Sequence, residues 1–288
     1  MVGVNPAALP AQDVDQFLRE VEKTLDNPVR PERGESLKIG LDLGTASIVL
    51  VALGENNRPL AVVREFAQVV KDGLVVDFSR ARLITESLKK RMEEILGVEI
   101  AETAIAVPPG TGRRDVDTHR YVAAAAGLEV STVLDEPSAA NLVLGLRNGA
   151  IADIGGGTTG VSILRDGEVI HTFDEPTGGT HVSLVLAGHN HISFEEAEAL
   201  KLDAARSREN LPVIAPVLQK MGKIIGDGIA GYECEEIILV GGTSTTPGIG
   251  RIIGAETGKK VSVSPVPILV TPAGIALGYN PAGYKPGE

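Results

Sequence analysis

The chain has 288 residues and carries 27 Lys plus Arg against 38 Asp plus Glu, a formal charge of −11 that argues against a phosphate-backbone binder. Zero Trp, 4 Tyr and 5 Phe leave few stacking platforms, so nucleic acid is not an expected partner. One cysteine, Cys234, excludes an internal disulfide framework, and no apolar run reaches membrane-spanning length. The start, Met1-Val2-Gly3-Val4-Asn5-Pro6, has neither a basic n-region nor an apolar h-region, so a cytoplasmic protein off the membrane is expected. The length allows two domains with sizeable cores.

Residues 1–36 stand apart. Asp13 to Leu25 reads as a short helix with Val14, Phe17, Leu18, Val21 and Leu25 on one face, and Asn27 to Gly34 as a linker. Such a helix either docks a partner or packs on its own body, and the second is the simpler expectation.

From Leu37 strand hairpins and helices alternate. Ile39 to Leu43 is a strand carrying Asp42 near its end; Gly44-Thr45-Ala46-Ser47 follows, then the apolar run Ile48 to Leu53. Helical spacing over Leu83 to Leu96 stops at Gly97. Thr103 to Val107 is a buried strand, Asp115 to Ala126 a helix ended by Gly127, Val130 to Leu134 a strand, and Pro137 to Leu146 a helix opened by proline. Ile151 to Ile154 then carries Asp153, Gly155-Gly156-Gly157-Thr158-Thr159 turns the chain, and Val161 to Leu164 is the next strand. Ile237 to Val240 is a strand leading into Gly241-Gly242-Thr243 and a helix opened by Thr246 or Pro247. The alternation predicts an α/β protein with mixed sheets.

The same element therefore occurs twice: an apolar strand with an Asp near its end, a Gly/Thr turn, and a second strand. Glycines let the turn backbone gather several N–H groups around an anion, and the Asp places a carboxylate where a hard cation wants oxygen. Two copies, at Asp42 and Asp153, suggest two related lobes closing on one phosphate chain. Gly155 to Gly160 also matches G-x-G-x-x-G, but a dinucleotide site needs a helix next, and Val161 to Ile170 reads as strand, Asp-Gly turn, strand.

The ordered set DLGT, DEPSAA, DIGGGTT, GG (178–179), VGGTS and TPAGIALG resembles the actin-like ATPase superfamily, which includes DnaK-type chaperones and MreB-type bacterial actins. The resemblance covers residues 37 to about 280. A nearer resemblance is to the EutJ family of ethanolamine-utilization operons, carried by VVKDGLVVDF (69–78), AVPPGTGRR (106–114), AAGLEVSTVLDEPSAA (125–140), DIGGGTTGVSI (153–163) and GGTHVSLVLAGHNHISFEEAEALK (178–201). It implies a two-lobed, duplicated ribonuclease H-like fold with a reduced second lobe: an extension over 1–36, lobe I over 37–150 with a returning helix in 270–288, and lobe II over 151–269. It also implies ATP and Mg²⁺ as cofactors. Gly44, Thr45, Ala46, Gly155, Gly156, Gly157 and Thr158 would hold the β- and γ-phosphates. Asp42 and Asp153 would position the metal, Glu136 would orient metal or attacking water, and Gly241, Gly242 and Thr243 would face the α-phosphate and ribose. Glu198 and Lys201, in Ala197 to Lys201, match the segment A-E-x-x-K that touches ribose and adenine. The lobe-crossing helices would be Glu136 to Leu146 and Thr271 to Tyr279.

Departures accompany the resemblance. Gly160 stands where the chaperones carry a further Asp, Thr245 where they carry an Arg beside adenine, and no residue matches their catalytic lysine. Only 57 residues separate Gly179 from Ile237, so the subdomain over the adenine looks reduced, and no peptide-binding domain is expected after the second crossing helix. Simpler readings stand beside these: Glu136 as a helix-start carboxylate, and Glu198 with Lys201 as an exposed pair. His181, His189 and His191 suggest a surface turn rather than zinc. The implied function is a chaperone-like, slow ATPase of ethanolamine utilization, possessing as client the ammonia-lyase or microcompartment proteins, in the cytoplasm at or near a microcompartment. The alternative is a non-hydrolysing adaptor on the same fold; a small-molecule kinase and an actin-like filament are weaker options.

Overall fold

A computed structural model describes residues 14–71 and 73–281. The chain divides into two compact units: one contains residues through Gly145 together with those from Leu269, the other Leu146–Ile268. No helix among the described residues is long and apolar enough to cross a membrane.

The first unit opens with helix α1 (Val14–Lys23), whose Val14, Phe17, Leu18 and Val21 are buried. They pack on strand β3 (Pro59–Phe66) of the same unit, so the apolar face is spent on its own body rather than offered to a partner. Asp13, which the sequence places at the start of this helix, lies outside the described residues. The linker that follows is tied down as well. Val29 N–H donates to the Leu60 carbonyl at 2.7 Å, and Arg30 Nε to the Ile95 carbonyl at 3.2 Å.

Strands β1 (Lys38–Leu43) and β2 (Ser47–Leu53) form an antiparallel hairpin extended by β3. The short pair β4 (Val70–Lys71) and β5 (Leu74–Val75) stands as its own hairpin, and β6 (Glu102–Val107) and β7 (Glu129–Asp135) add to β1 in parallel. The sheet order is β3-β2-β1-β6-β7. β2 is buried at every position, because α2 (Phe78–Leu96) covers one face and α9 (Val270–Leu277) packs against the sheet as well. α2 begins earlier than the spacing suggests: the Asp77 carboxylate accepts the Arg80 N–H at 3.0 Å and fixes the start there. Helix α3 (Arg113–Ala125) likewise starts two residues before Asp115. α4 (Glu136–Leu144) stops two residues short of Leu146, because Gly145 at φ 61 turns left-handed and closes onto the Asn141 carbonyl.

α4 and α9 are the two predicted crossing helices, both within this unit and packed on each other. Small residues make that contact. A Cβ on Gly274 would overlap the Ala139 carbonyl, and one on Gly40 of β1 would come within 2.8 Å of the Ala276 Cα.

The second unit repeats the plan. β8 (Gly149–Ile154), β9 (Thr159–Arg165) and β10 (Glu168–Glu175) run antiparallel, and β11 (Glu236–Val240) and β12 (Lys260–Val263) add in parallel, in the order β10-β9-β8-β11-β12. Between β10 and β11 run α5 (Gly179–Asn190), α6 (Phe194–Leu202) and α7 (Ser207–Ile229), while α8 (Ile249–Thr257) joins β11 to β12. The helix expected from Thr246 or Pro247 starts only at Ile249. A short 3-10 turn over Gly242–Thr245 comes first, and Gly248 at φ 87 breaks the path.

Gly274→Ala should cost about 3 kcal/mol, because the methyl group meets backbone that cannot swing aside. Gly226→Ala, inside α7 with nothing within 4 Å of the new methyl, should stabilise by about 0.5–1 kcal/mol. Urea unfolding of the pair separates contact from chain entropy; equal losses would contradict the packing described for α4 and α9.

A second prediction concerns acid. Burial holds the His119 imidazole below its ordinary 6.5, against the opposing bond its Nδ1–H donates to the Asp115 carbonyl at 2.9 Å. A depressed histidine binds fewer protons folded than unfolded, so its contribution is complete above the unfolded value and drains away as pH falls through the folded one. The wild-type melting temperature should drop more steeply than that of His119→Gln between about pH 7 and pH 5. Parallel curves would remove His119 from the acid response.

Candidate functional site

The two Asp-turn-strand elements occupy the same place in their sheets. Asp42 pairs with Val49 across β1–β2, and Asp153 with Gly160 across β8–β9, each next to the last pair of its hairpin. The turns close alike: Gly44 N–H donates to the Ser47 carbonyl at 3.0 Å, and Gly155 N–H to the Thr158 carbonyl at 3.1 Å. Between those bonds the N–H groups of Thr45 and Ala46 in the first unit, and of Gly156, Gly157 and Thr158 in the second, have no acceptor among the described residues. Consecutive unspent donors beside a half-buried carboxylate are the makings of an anion nest.

In the second unit other elements brace the turn. Gly179 and Thr180, at the head of α5, donate to the carbonyls of Gly155 and Gly156, both at 2.9 Å. Thr243 Oγ1 donates to the Gly155 carbonyl at 2.7 Å. The turn's carbonyls are thus engaged from behind while its N–H groups stay available. The approach is too close for any side chain: a Cβ on Gly178 would lie 2.6 Å from the Gly156 oxygen. Gly241, at φ 85, ends β11 directly on Asp153, where a Cβ would overlap the carboxylate and lie 2.6 Å from the Ile154 carbonyl. Gly242 follows in the 3-10 turn.

Lys201 of α6 is not part of a fully exposed pair: its side chain is only 7% exposed, while that of Glu198 is 41% exposed. Nζ donates to both Glu198 carboxylate oxygens at 2.9 Å and to Ser183 Oγ at 3.1 Å. The Ser183 hydroxyl is also hydrogen-bonded to Glu198 and to the Gly179 carbonyl. Burying an ammonium costs several kcal/mol unless a counter-charge and hydrogen bonds meet it. Here they do, and the absent Cβ of Gly179 lies between Lys201 Nζ and Thr243 Oγ1. Gly155–Thr158, Gly179, Ser183, Glu198, Lys201 and Gly241–Thr243 therefore form one connected polar assembly.

The sequence marks Gly178-Gly179 as a motif without giving it a role, and does not single out Ser183. The glycine pair heading a helix was the available signal; Ser183, one turn on at i+4 from Gly179, could be found from it. Glu136 is the first residue of α4, half-buried, and the cap itself is Asp135, whose Oδ1 accepts the Ser138 N–H at 2.9 Å. His181 Nδ1 accepts the Gly178 N–H at 3.3 Å, and His191 is the left-handed C-cap of α5. Among the described residues no three His, Cys, Asp or Glu side chains gather as a metal cage. Mg²⁺ does not require such a cage, since it binds through one or two carboxylates with phosphate oxygens and water completing its shell.

The ethanolamine utilization protein EutJ of Salmonella typhimurium is 41% identical over 213 residues, covering 74% of this chain and 75% of that protein. The chain belongs to the EutJ family. The crystal structure of EutJ from Carboxydothermus hydrogenoformans superposes with a TM-score of 0.88 at 44% identity, over 93% of this chain and 99% of the other. The Hsp70 protein family profile matches residues 79–215. MreB5 of Spiroplasma citri, in a crystal structure bound to ADP, reaches a TM-score of 0.66 at 17% identity over 83% of this chain and 94% of its own. The chain thus has the actin-like ATPase fold.

Gly241→Ala should cost about 3 kcal/mol by combining a strained left-handed backbone with the overlap on Asp153. Gly155→Ala, whose methyl group meets nothing nearer than 3.9 Å, should stay within about 1 kcal/mol of wild type. Denaturant midpoints in the reverse order would show that β11 does not press on Asp153.

Proposed function

We propose that this EutJ-family protein binds Mg-ATP and hydrolyses it slowly, as a chaperone-like factor of ethanolamine utilization. Its clients in this reading are the ethanolamine ammonia-lyase or the proteins of microcompartment assembly, reached in the cytoplasm. The observation that carries the nucleotide part is the recurrence, at one register position in two sheets, of a carboxylate followed by unspent backbone donors. The actin-like fold and the ADP in the MreB5 structure support it.

In the second unit, Gly156, Gly157 and Thr158 would donate N–H groups to phosphate oxygens, with Thr243 and Gly179 holding that turn in shape. Lys201 and Glu198 would meet the ribose and base. Thr45 and Ala46 of the first unit would supply the second phosphate grip. Bound Mg²⁺ would neutralise phosphate charge, with Asp153 and Asp42 as its protein carboxylates. Phosphoryl transfer asks mainly for positioning and charge compensation, which backbone donors and carboxylates supply. Glu136, at the first turn of α4, is the carboxylate we assign to orienting water. A switch of this kind works only if ATP and ADP stabilise different states.

The adaptor reading draws on one departure: Thr245 stands where the chaperones carry the arginine that flanks the base, and its hydroxyl donates to the Gly242 carbonyl at 2.6 Å. Calorimetric titration of Mg-ATP and Mg-ADP, with phosphate release followed in parallel, separates the readings. Wild type should bind both. Asp153→Ala should weaken metal-dependent binding at least about tenfold, and Lys201→Met should weaken ATP and ADP alike. Binding without turnover would favour the adaptor, and no heat at millimolar nucleotide would end the nucleotide reading.

A further inference from the structure

A groove of about 440 Å³ lies between α7 and α8 in the second unit, lined by residues that the nucleotide assembly does not use. Leu211, Pro212 and Ala215 of α7 and Ile252 of α8 line it, with Arg208 and Arg251 contributed by the two helices. On α7 the lining residues 208, 211, 212 and 215 fall at i, i+3, i+4 and i+7, one continuous helical face. That face is only partly covered: Pro212 is exposed, and Leu211, Ala215 and Ile252 are half-buried.

Charge defines the occupant. Arg208 and Arg251 are both exposed, and neither makes an ion pair with a described residue. The acid nearest in sequence, Glu209, is engaged by Arg206 at 3.2 Å. In a chain with a net charge of −11, two uncompensated guanidinium groups bordering one apolar groove are a local reversal of sign. A guanidinium fork matches a carboxylate with two parallel hydrogen bonds, while an apolar floor rewards aliphatic side chains.

We infer that the α7–α8 groove docks a segment of a partner protein in which apolar side chains are flanked by Asp or Glu. Its apolar side chains rest on Leu211, Pro212, Ala215 and Ile252, and its carboxylates pair with Arg208 and Arg251. The site stands independently of nucleotide binding, since it shares no residue with the phosphate turns.

The test uses the full chain and a fluorescein-labelled amphipathic peptide of Leu, Ala and Glu, with a Lys-for-Glu peptide as its control, read by fluorescence anisotropy. Wild type should bind the acidic peptide saturably and the lysine peptide not at all. The double charge reversal R208E/R251E should weaken binding at least about tenfold, with an unchanged melting temperature because both side chains are exposed. Ala215→Trp, which fills the floor and keeps both arginines, should weaken it too. Equal affinity for wild type and R208E/R251E would overturn the proposal, as would no saturation at millimolar peptide. Concentration-dependent dimerisation of wild type, abolished in R208E/R251E, would give the groove to a second copy and overturn it equally.

Discussion

Backbone resting on backbone, with no Cβ between, is the constraint on which the rest of this structure depends. At Gly274 on Ala139 and Gly40 on Ala276 it lets helices α4 and α9 and strand β1 meet in the first unit. At Gly178 on Gly156 and Gly241 on Ile154 it draws two segments of the second unit, the head of α5 and the end of β11, against one turn. A methyl group at any of these points would force main chain apart, and main chain, unlike the tip of a flexible side chain, has nowhere to go. The small residues thus set the distance between elements, and that distance decides which polar groups can reach each other.

The polar assembly in the second unit follows from this spacing. Because Gly179 has no side chain, Lys201 Nζ and Thr243 Oγ1 can both come against the head of α5. Thr243 then holds the Gly155 carbonyl, and Ser183 with Glu198 compensates the ammonium. Each carbonyl engaged from behind keeps the Gly155–Thr158 turn in the shape that leaves its N–H groups unspent. Rigidity at the turn is therefore supplied by neighbours rather than by glycine itself, which alone would favour mobility.

Much of this was legible in the sequence for physical reasons. The doubled strand-Asp-turn pattern announced the doubled sheet, since a short apolar run on either side of a glycine turn admits few other structures. The failure of G-x-G-x-x-G as a dinucleotide motif was readable from Asp166-Gly167, which makes a hairpin and not a helix. Boundaries were harder. Asp77 and Gly145 set the ends of α2 and α4 through single hydrogen bonds that apolar periodicity does not record. Lys201 was harder still: spacing places it i+3 from Glu198 but says nothing of burial, which depends on α5 arriving beside it. Ser183 had only its i+4 spacing from Gly179 as a signal, and the α7–α8 groove needed two separate helices to meet.

The first unit is discontinuous, and this orders events during synthesis. The ribosome makes β1, β2, β3, β6 and β7 well before α9, whose Ala276 and Gly274 complete the packing against Gly40 and Ala139. The second unit, Leu146–Ile268, is one uninterrupted stretch and is synthesised entire before the helix that completes the first. At translation speeds of about 5–20 residues per second, the face of β1 that α9 will cover stays open for several seconds or longer. The segment that comes later in sequence is consequently the one whose chain is complete first, while the earlier one waits for its last helix.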